Sequence, residues 1–530
     1  MPNRLRSVAV CVLILVAVYV CFFSRLDAIG LVGPDEPRYA AIAGEMAQSG
    51  DWVTPRLNGR PWFEKPVLNY WLAGISFRWF GVNEISARLP SAVCATLALL
   101  ALAWLAGKLN GVDAASLTFL LGCTTAGFIG FAHAATTDMP FSAALVFSMV
   151  LACRILWPEK FSPVHTCAPR WTLLAFGAGL GLATLAKGPV ALVLAGGGSL
   201  LWAASTKRWK AAFRLGHPLA VAAWAGVTLP WYLLCAWRNP EFVQVFLISH
   251  NLERFFTPVF QHEQPVWFFG PILLLGMVPW SLPLAVAAGS GARLVRRMEA
   301  RNTPEFFLTC WAVFIVLFFS VSRSKLPGYI LPALFPLSWL LAAWLAGRLG
   351  SPDRQTSAAL TGAGMTFSLL AASAHVWLKR LPDGASELPS SEMLALLIAL
   401  SALGLVVAAL GIFRRHRLAL LGCVLLATGV VATLNIRILP RLDAQLSPRA
   451  AARTMAGKEV LGFRLHRAWQ FGLNFYLGRE LRTWNPDAQA SATVLTSRQG
   501  VEEVRAMGRR VDVLSSFSSR AVLIYVSGND

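Results

Sequence analysis

Charge-poor apolar runs recur along most of the chain and then stop. They fall at about Val8–Phe23, Leu89–Gly107, Ala114–Ala132, Met139–Cys153, Trp171–Ala186, Gly188–Ser205, Pro218–Trp237, Trp267–Ala288, Phe306–Ser322, Gly328–Gly347, Thr356–Leu378, Met393–Phe413 and Leu418–Ile436. Each is close to the roughly 20 apolar residues that a helix needs to cross a bilayer. The pattern predicts an all-α polytopic membrane protein of about thirteen transmembrane helices over residues 1–439. The first run follows Arg4 and Arg6 as a signal peptide would, but no small-residue cleavage site comes after it, so a retained anchor is expected. From about Pro440 the pattern changes. Lys458–Arg464, Ala492–Thr496, Val511–Ser515 and Ala521–Val526 alternate or run apolar like strands, and Trp469–Leu477 and Val501–Met507 like helices. Residues 440–530 therefore read as a small α/β domain.

Between the first two runs lies a long loop, residues 24–85, with two charged clusters set among prolines and aromatics: Gly33-Pro34-Asp35-Glu36-Pro37-Arg38-Tyr39 and Trp62-Phe63-Glu64-Lys65-Pro66. Asp35 stands where a helix N-cap belongs, Pro37 follows in the first turn, and Tyr39, Ile42, Ala43 and Met46 recur at helical spacing, so residues 36–49 read as a short amphipathic helix. A second begins at Pro66 and presents Val67, Tyr70, Trp71, Ile75, Phe77, Trp79 and Phe80. Both are expected to lie along the membrane surface, roofing the bundle and leaving Asp35, Glu36, Glu64 and Lys65 facing a cavity.

Composition agrees with the pattern. Of 530 residues 56% are hydrophobic and 14% charged, with a mean hydropathy of +0.57, which is more apolar surface than a soluble core of this size hides. With the N-terminus inside, one alternate set of segments carries nineteen Lys and Arg, and the short loops of the other set carry five: Lys187, Arg323, Lys325, Lys379 and Arg380. The positive-inside rule then places the first loop and the C-terminal tail outside the cytoplasm. The formal charge of +20 is mostly a topology signal and does not indicate nucleic-acid binding. The nine cysteines form no disulfide framework or CxxC metal pair in the outer segments.

Four further outer segments aim polar groups at the same layer: Thr136-Thr137-Asp138, Lys187-Gly188-Pro189, the stretch Arg238–Pro265 with His250, Arg254 and His262, and Arg323-Ser324-Lys325-Leu326-Pro327-Gly328-Tyr329. Charges at a bilayer edge are costly unless paired, hydrated or used. Each residue also has a plainer reading. Asp35 and Asp138 would serve as helix caps. Glu64 and Lys65 would form a local ion pair, Lys187 would snorkel, and Arg254, Arg323 and Lys325 would meet lipid headgroups without specificity. His250 and His262 would be interfacial histidines, and Tyr329 part of the aromatic belt. Glu64 with His250 or His262 also offers oxygen and nitrogen ligands of the kind zinc accepts, though without any motif spacing.

The pairing of Asp35-Glu36 with Arg38-Tyr39, then Phe63-Glu64-Lys65-Pro66, Asp138 and Lys187-Gly188-Pro189, resembles the polyprenyl-phosphate-dependent membrane glycosyltransferases of the GT-C class, which include the protein O-mannosyltransferases. Within that class, His250-Asn251-Leu252-Glu253-Arg254-Phe255 with Gln261-His262 and Pro265-Val266-Trp267 resembles the bacterial lipid A aminoarabinose transferases. The resemblance implies transfer of 4-amino-4-deoxy-L-arabinose from undecaprenyl phosphate to a lipid A phosphate, with inversion, at the periplasmic face of the inner membrane. Lys65, Arg254, Arg323 and Lys325 are the cations available for the lipid phosphate, and Arg38, Tyr39 and Tyr329 further contacts to phosphate and sugar. Asp35 and Asp138 are the catalytic candidates. With a hydroxyl acceptor Asp35 would take its proton; with a phosphate acceptor the two would orient the acceptor or hold the amine of the sugar. The runner-up is a glycosyltransferase acting on protein hydroxyls or another glycolipid. A transporter would carry charges inside its spans, and a lipid flippase would not require acids beside the cations.

Overall fold

The computed structural model describes residues 2–162, 167–253, 263–295, 301–351, 353–378, 390–487, 489 and 491–528. It is mostly helical, and each of the thirteen apolar runs falls on a helix or a bent helix pair. Among the described residues, eight helices are long and apolar enough to cross a membrane, ten if each of two bent pairs is one span. Two of the remaining runs are broken, those at Ser7–Phe23 and Val190–Thr206 are short, and the last, on Arg170–Lys187, is not among the long apolar helices. The chain is a multi-pass membrane protein.

Helix α1 (Pro2–Val18) continues as a π-helical turn, Tyr19–Phe23. The first loop holds α2 (Asp35–Ser49), the hairpin β1 (Arg56–Leu57) and β2 (Arg60–Pro61), and α3 (Leu68–Phe80). Then come α4 (Glu84–Asn110), α5 (Val112–Cys123), α6 (Ala126–Ala132), α7 (Asp138–Leu156) and α8 (Arg170–Lys187). Helix α4 starts sharply because Asn83 Oδ1 accepts from the Ser86 N–H (2.9 Å) while Ser86 Oγ accepts from the Asn83 N–H (3.3 Å), a reciprocal cap.

Helices α5 and α6 meet at 62°, and Val266–Gly276 meets Ser281–Ser290 at 109°. The two breaks face each other. The Ala126 N–H donates to Val278 O (2.9 Å) and Trp280 Nε1 to Thr124 Oγ1 (3.1 Å), so backbone and side-chain groups at the breaks find protein partners, as hydrocarbon requires. Helix α7 is the innermost long span: 78% of its apolar window is buried, against 17% for Ser391–Ile412. Asp138 is its first residue.

Helix α2 is covered on two sides. It packs on α3 and on a C-terminal helix, Arg467–Leu477, with Arg38, Tyr39, Ile42, Ala43 and Met46 buried. On α3, Tyr70 and Phe77 turn inward while Ile75, Trp79 and Phe80 are exposed. After the last span the chain forms a four-stranded sheet from β3 (Leu461–Phe463), β4 (Ala492–Thr496), β5 (Arg510–Ser518) and β6 (Ala521–Ser527), in the order β3-β4-β6-β5. Strands β3 and β4 are parallel and the other pairs antiparallel. One face buries Val494, Ile524 and Val526 beside Trp484, and the other Leu495 and Leu523 beside Trp469 and Leu473.

Candidate active site

A buried ion pair sets the frame of the rim. Arg88, near the start of α4, donates from Nε to Glu36 Oε1 (2.9 Å) and from Nη2 to Oε2 (2.8 Å). Its remaining hydrogens go to the carbonyls of Leu26 and Ile29 (both 2.7 Å) and Gly30 (2.9 Å). Glu36 also accepts from the Val32 N–H (2.9 Å) and the Ala135 N–H (2.8 Å). Both side chains are buried, where an unpaired charge is costly and one so fully bonded is held fast. One salt bridge thus ties the first loop, the start of α4 and the approach to α7 together, and brings Asp35 and Asp138 to the same rim. Glu36, expected to face a cavity, faces Arg88 instead. It is the structural member of the acidic pair.

Asp35 is the first helical residue of α2 and caps nothing: Pro34 holds the N-cap position, without a side-chain bond. Its carboxylate accepts from Arg38 Nη2 (2.6 Å), while Arg38 Nη1 donates to Glu64 Oε2 (2.8 Å). The Arg38 side chain is 7% exposed, Glu64 13% and Asp35 45%, so Asp35 is the member open to a ligand. The Arg38 guanidinium lies 5.1 Å from the Tyr39 ring and 5.6 Å from those of Trp62 and Phe471. Burial works against its charge, but the Glu64 and Asp35 carboxylates beside it favour it, and Arg38 stays protonated above the usual guanidinium range. Burial likewise pushes the phenols of Tyr39 and Tyr70 up, so both stay neutral.

Lys65 follows Glu64 directly and lies within electrostatic reach of Asp138. Lys187, the last residue of α8, donates from Nζ to Asp138 Oδ1. The same ammonium lies 5.1 Å from the centre of the Tyr329 ring and 5.3 Å from that of Phe141. Tyr329 in turn packs on Phe319, with ring centres 4.9 Å apart. Gly328 passes so close that a Cβ there would lie 2.6 Å from Asp138 Oδ1 and 2.9 Å from the Phe131 ring. Only glycine allows this approach. Beside Phe131 and Pro327 opens an apolar cavity of about 310 Å³, walled further by Ala134, Ile272, Leu275 and Ile330.

The structure therefore brings together Asp35, Arg38, Tyr39, Glu64, Lys65, Asp138 and Tyr329. The remaining expected contacts stand differently. Lys325 is buried and its Nζ donates to Ser322 O (2.6 Å) and Gln264 O (2.9 Å), so it ties its own loop to the segment before Pro265. Arg323 is exposed on that loop. Arg254 and His262 lie outside the described residues, as does the side chain of His250, whose backbone belongs to the π-helical segment Val243–Glu253. Of the suggested metal ligands only Glu64 can be placed, and it pairs with Arg38. Among the described residues no group of three His, Cys, Asp or Glu is poised for a metal.

Lys187 and Phe471 are the two site residues that sequence reasoning undervalued. Lys187 was visible as a cation beside Gly188-Pro189 and reads equally well as a snorkelling side chain. Phe471, far along the chain in the tail, carries no sequence signal that would send it to Arg38.

Residues 8–246 match the family described as dolichyl-phosphate-mannose-protein mannosyltransferase. An undecaprenyl phosphate-α-4-amino-4-deoxy-L-arabinose arabinosyl transferase of Edwardsiella ictaluri is 34% identical over 59% of this chain and 55% of its own. The protein of that name from Pseudomonas aeruginosa PAO1 is 33% identical over 73% of this chain and 69% of its own. The chain spans 54% to 61% of the first four such relatives. Among solved structures, ArnT from Cupriavidus metallidurans bound to undecaprenyl phosphate is similar with a TM-score of 0.79 and 26% identity, over 98% of this chain and 99% of that one. Its apo form gives 0.76 and 25%. The match to the Pseudomonas protein along more than two thirds of its length, with the same fold end to end as a solved ArnT, shows that this chain belongs to the undecaprenyl phosphate-aminoarabinose arabinosyl transferases, membrane glycosyltransferases of the GT-C class.

Proposed function

We propose that the protein transfers 4-amino-4-deoxy-L-arabinose from undecaprenyl phosphate to a phosphate of lipid A, with inversion at the sugar carbon. One observation carries this reading. The charged set around Asp138, with Lys187 on its carboxylate and Lys65 close by, adjoins the apolar cavity behind Phe131 and Pro327. A polyprenyl phosphate has those two needs, cations for its head and a dry wall for the start of its tail. The names of the relatives and the undecaprenyl phosphate in the similar ArnT support the choice of lipid and sugar. The excess of Lys and Arg on the opposite set of segments supports a rim that faces the periplasm of a bacterial inner membrane.

In this reaction the bond from the sugar carbon to the donor phosphate oxygen breaks, and a bond to an acceptor phosphate oxygen forms on the opposite face. The departing lipid phosphate gains negative charge, which Lys65 and Lys187 offset where it appears. A lipid A phosphate is already an anion near neutral pH and needs position more than a base. Asp35, the most open carboxylate of the set, holds the acceptor-side geometry or the sugar amine while Arg38 fixes its direction. Glu64 would supply one oxygen to a divalent ion, and no step here requires one.

The test is to incubate the purified protein with the lipid-linked aminosugar and lipid A and to weigh the product by mass spectrometry. Lipid A heavier by one aminopentose residue supports the proposal. Sugar passing to a serine or threonine peptide or to another glycolipid, with lipid A unchanged, would replace it by the reading that the mannosyltransferase match favours.

A further inference from the structure

We propose that the C-terminal sheet region forms a wall of the candidate site, and that Phe471 and Tyr476 of its helix Arg467–Leu477 are positioning residues for Asp35 and Arg38. The segment leading to Asp35 is held from two sides. Arg88 takes its carbonyls from the membrane side, as described. The C-terminal region takes its N–H groups: Gly30 N–H donates to Asp443 Oδ1 (2.7 Å), and Leu31 N–H to the Tyr476 hydroxyl oxygen (2.8 Å).

Tyr476 then donates its own proton to Glu84 Oε1 (2.9 Å), at the start of α4. Arg449 closes the network, donating to Asp443 Oδ2 (2.8 Å), Glu84 Oε1 (3.1 Å) and Asp27 O (3.0 Å). The knot joins the two parts of the chain through Asp27, Gly30, Leu31 and Glu84 on one side and Asp443, Arg449 and Tyr476 on the other. The fit is close, since a Cβ at Gly30 would stand 2.5 Å from Ser447 Oγ and 2.7 Å from the Tyr476 hydroxyl.

From the knot the chain needs only Val32, Gly33 and Pro34 to reach Asp35, and Gly33 turns in the left-handed region at φ +69°. A shift of Gly30–Leu31 is thus passed to Asp35 with little slack. Five residues before Tyr476, Phe471 lies over the Arg38 guanidinium at 5.6 Å, completing with Tyr39 and Trp62 the aromatic enclosure that keeps the cation dry. The tail therefore orders both ends of the Asp35–Arg38 pair, Tyr476 through the Gly30–Leu31 backbone and Phe471 through the guanidinium.

The transfer arm of the test rests on the function proposed above; the exchange arm does not. Full-length protein in lipid nanodiscs is compared as wild type, Phe471→Ala, Phe471→Trp, Tyr476→Phe, Gly30→Ala and the exposed control Arg467→Ala. Hydrogen exchange of residues 30–39 is expected to rise in Phe471→Ala, Tyr476→Phe and Gly30→Ala and to stay at the wild-type level in Phe471→Trp and Arg467→Ala. Transfer should fall about tenfold in kcat with KM for the donor little changed in the first three, and tryptophan at 471 should restore most of it. Unchanged exchange in Phe471→Ala and Gly30→Ala would overturn the proposal, as would equal loss of kcat in the alanine and tryptophan variants. If wild-type protein transfers no aminosugar, the function fails and the exchange result alone decides the role of the tail.

Discussion

Arg88 grips both oxygens of Glu36, at 2.9 and 2.8 Å, inside the wall that joins the first loop to the bundle. Removing one partner leaves the other charged, buried and surrounded by groups arranged for it. Glu36→Ala or Arg88→Ala should cost about 3–5 kcal/mol, while the double variant should cost less than the sum. Thermal unfolding in detergent measures it. Single variants that melt with the wild type would show that the pair holds nothing.

The pair of Lys187 with Asp138 separates stability from turnover. Lys187→Met leaves the Asp138 carboxylate without its partner and should destabilise by about 3 kcal/mol; adding Asp138→Asn removes the stranded charge and should recover much of that stability. Transfer should stay lost in both, because the cation that offsets the departing phosphate is gone. A double variant with near wild-type turnover would remove the pair from the mechanism.

The apolar cavity gives a prediction about chain length. Gly130 lines it, and nothing lies within 4 Å of where its Cβ would be, so Gly130→Leu enters open space. The variant should fold as before and raise KM for the undecaprenyl donor about tenfold, since filling the wall removes buried apolar contact worth roughly 25 cal/mol per Å². A donor with a much shorter prenyl chain should be affected less. Equal KM shifts for long and short donors would mean that the tail lies elsewhere.

Tyr39 and Tyr70 set a high-pH limit. Burial raises both phenols above their ordinary value, so the folded state favours the neutral form. Below pH about 10 the phenols are neutral folded and unfolded, and pH has no effect through them. Above it the unfolded chain gains by ionising and the folded one does not, so stability falls as pH rises. Tyr70→Phe should show a shallower loss than the wild type between pH 9 and about 11 in denaturation experiments. Parallel curves would show that Tyr70 ionises freely in the fold.

What could be read from the sequence was whatever depends on near neighbours. Hydropathy over a span of residues placed the helices, and alternation placed β4, β5 and β6, because burial in lipid or in a sheet face repeats along the chain itself. The charged positions of the first loop, and the fact that Asp138 and Lys187 end their helices on the same rim, follow from topology once the spans are known. The sequence could not say that Glu36 turns to Arg88 while its neighbour Asp35 turns to Arg38, since both acids sit in the same local pattern. Nor could it assign Lys187 to Asp138, Lys325 to backbone carbonyls, or Phe471 to the ring of aromatics around Arg38. Those choices belong to the tertiary structure, because a buried charge takes the partner that packing brings within about 3 Å, whether three residues away, as Arg38 is from Asp35, or 52, as Arg88 is from Glu36.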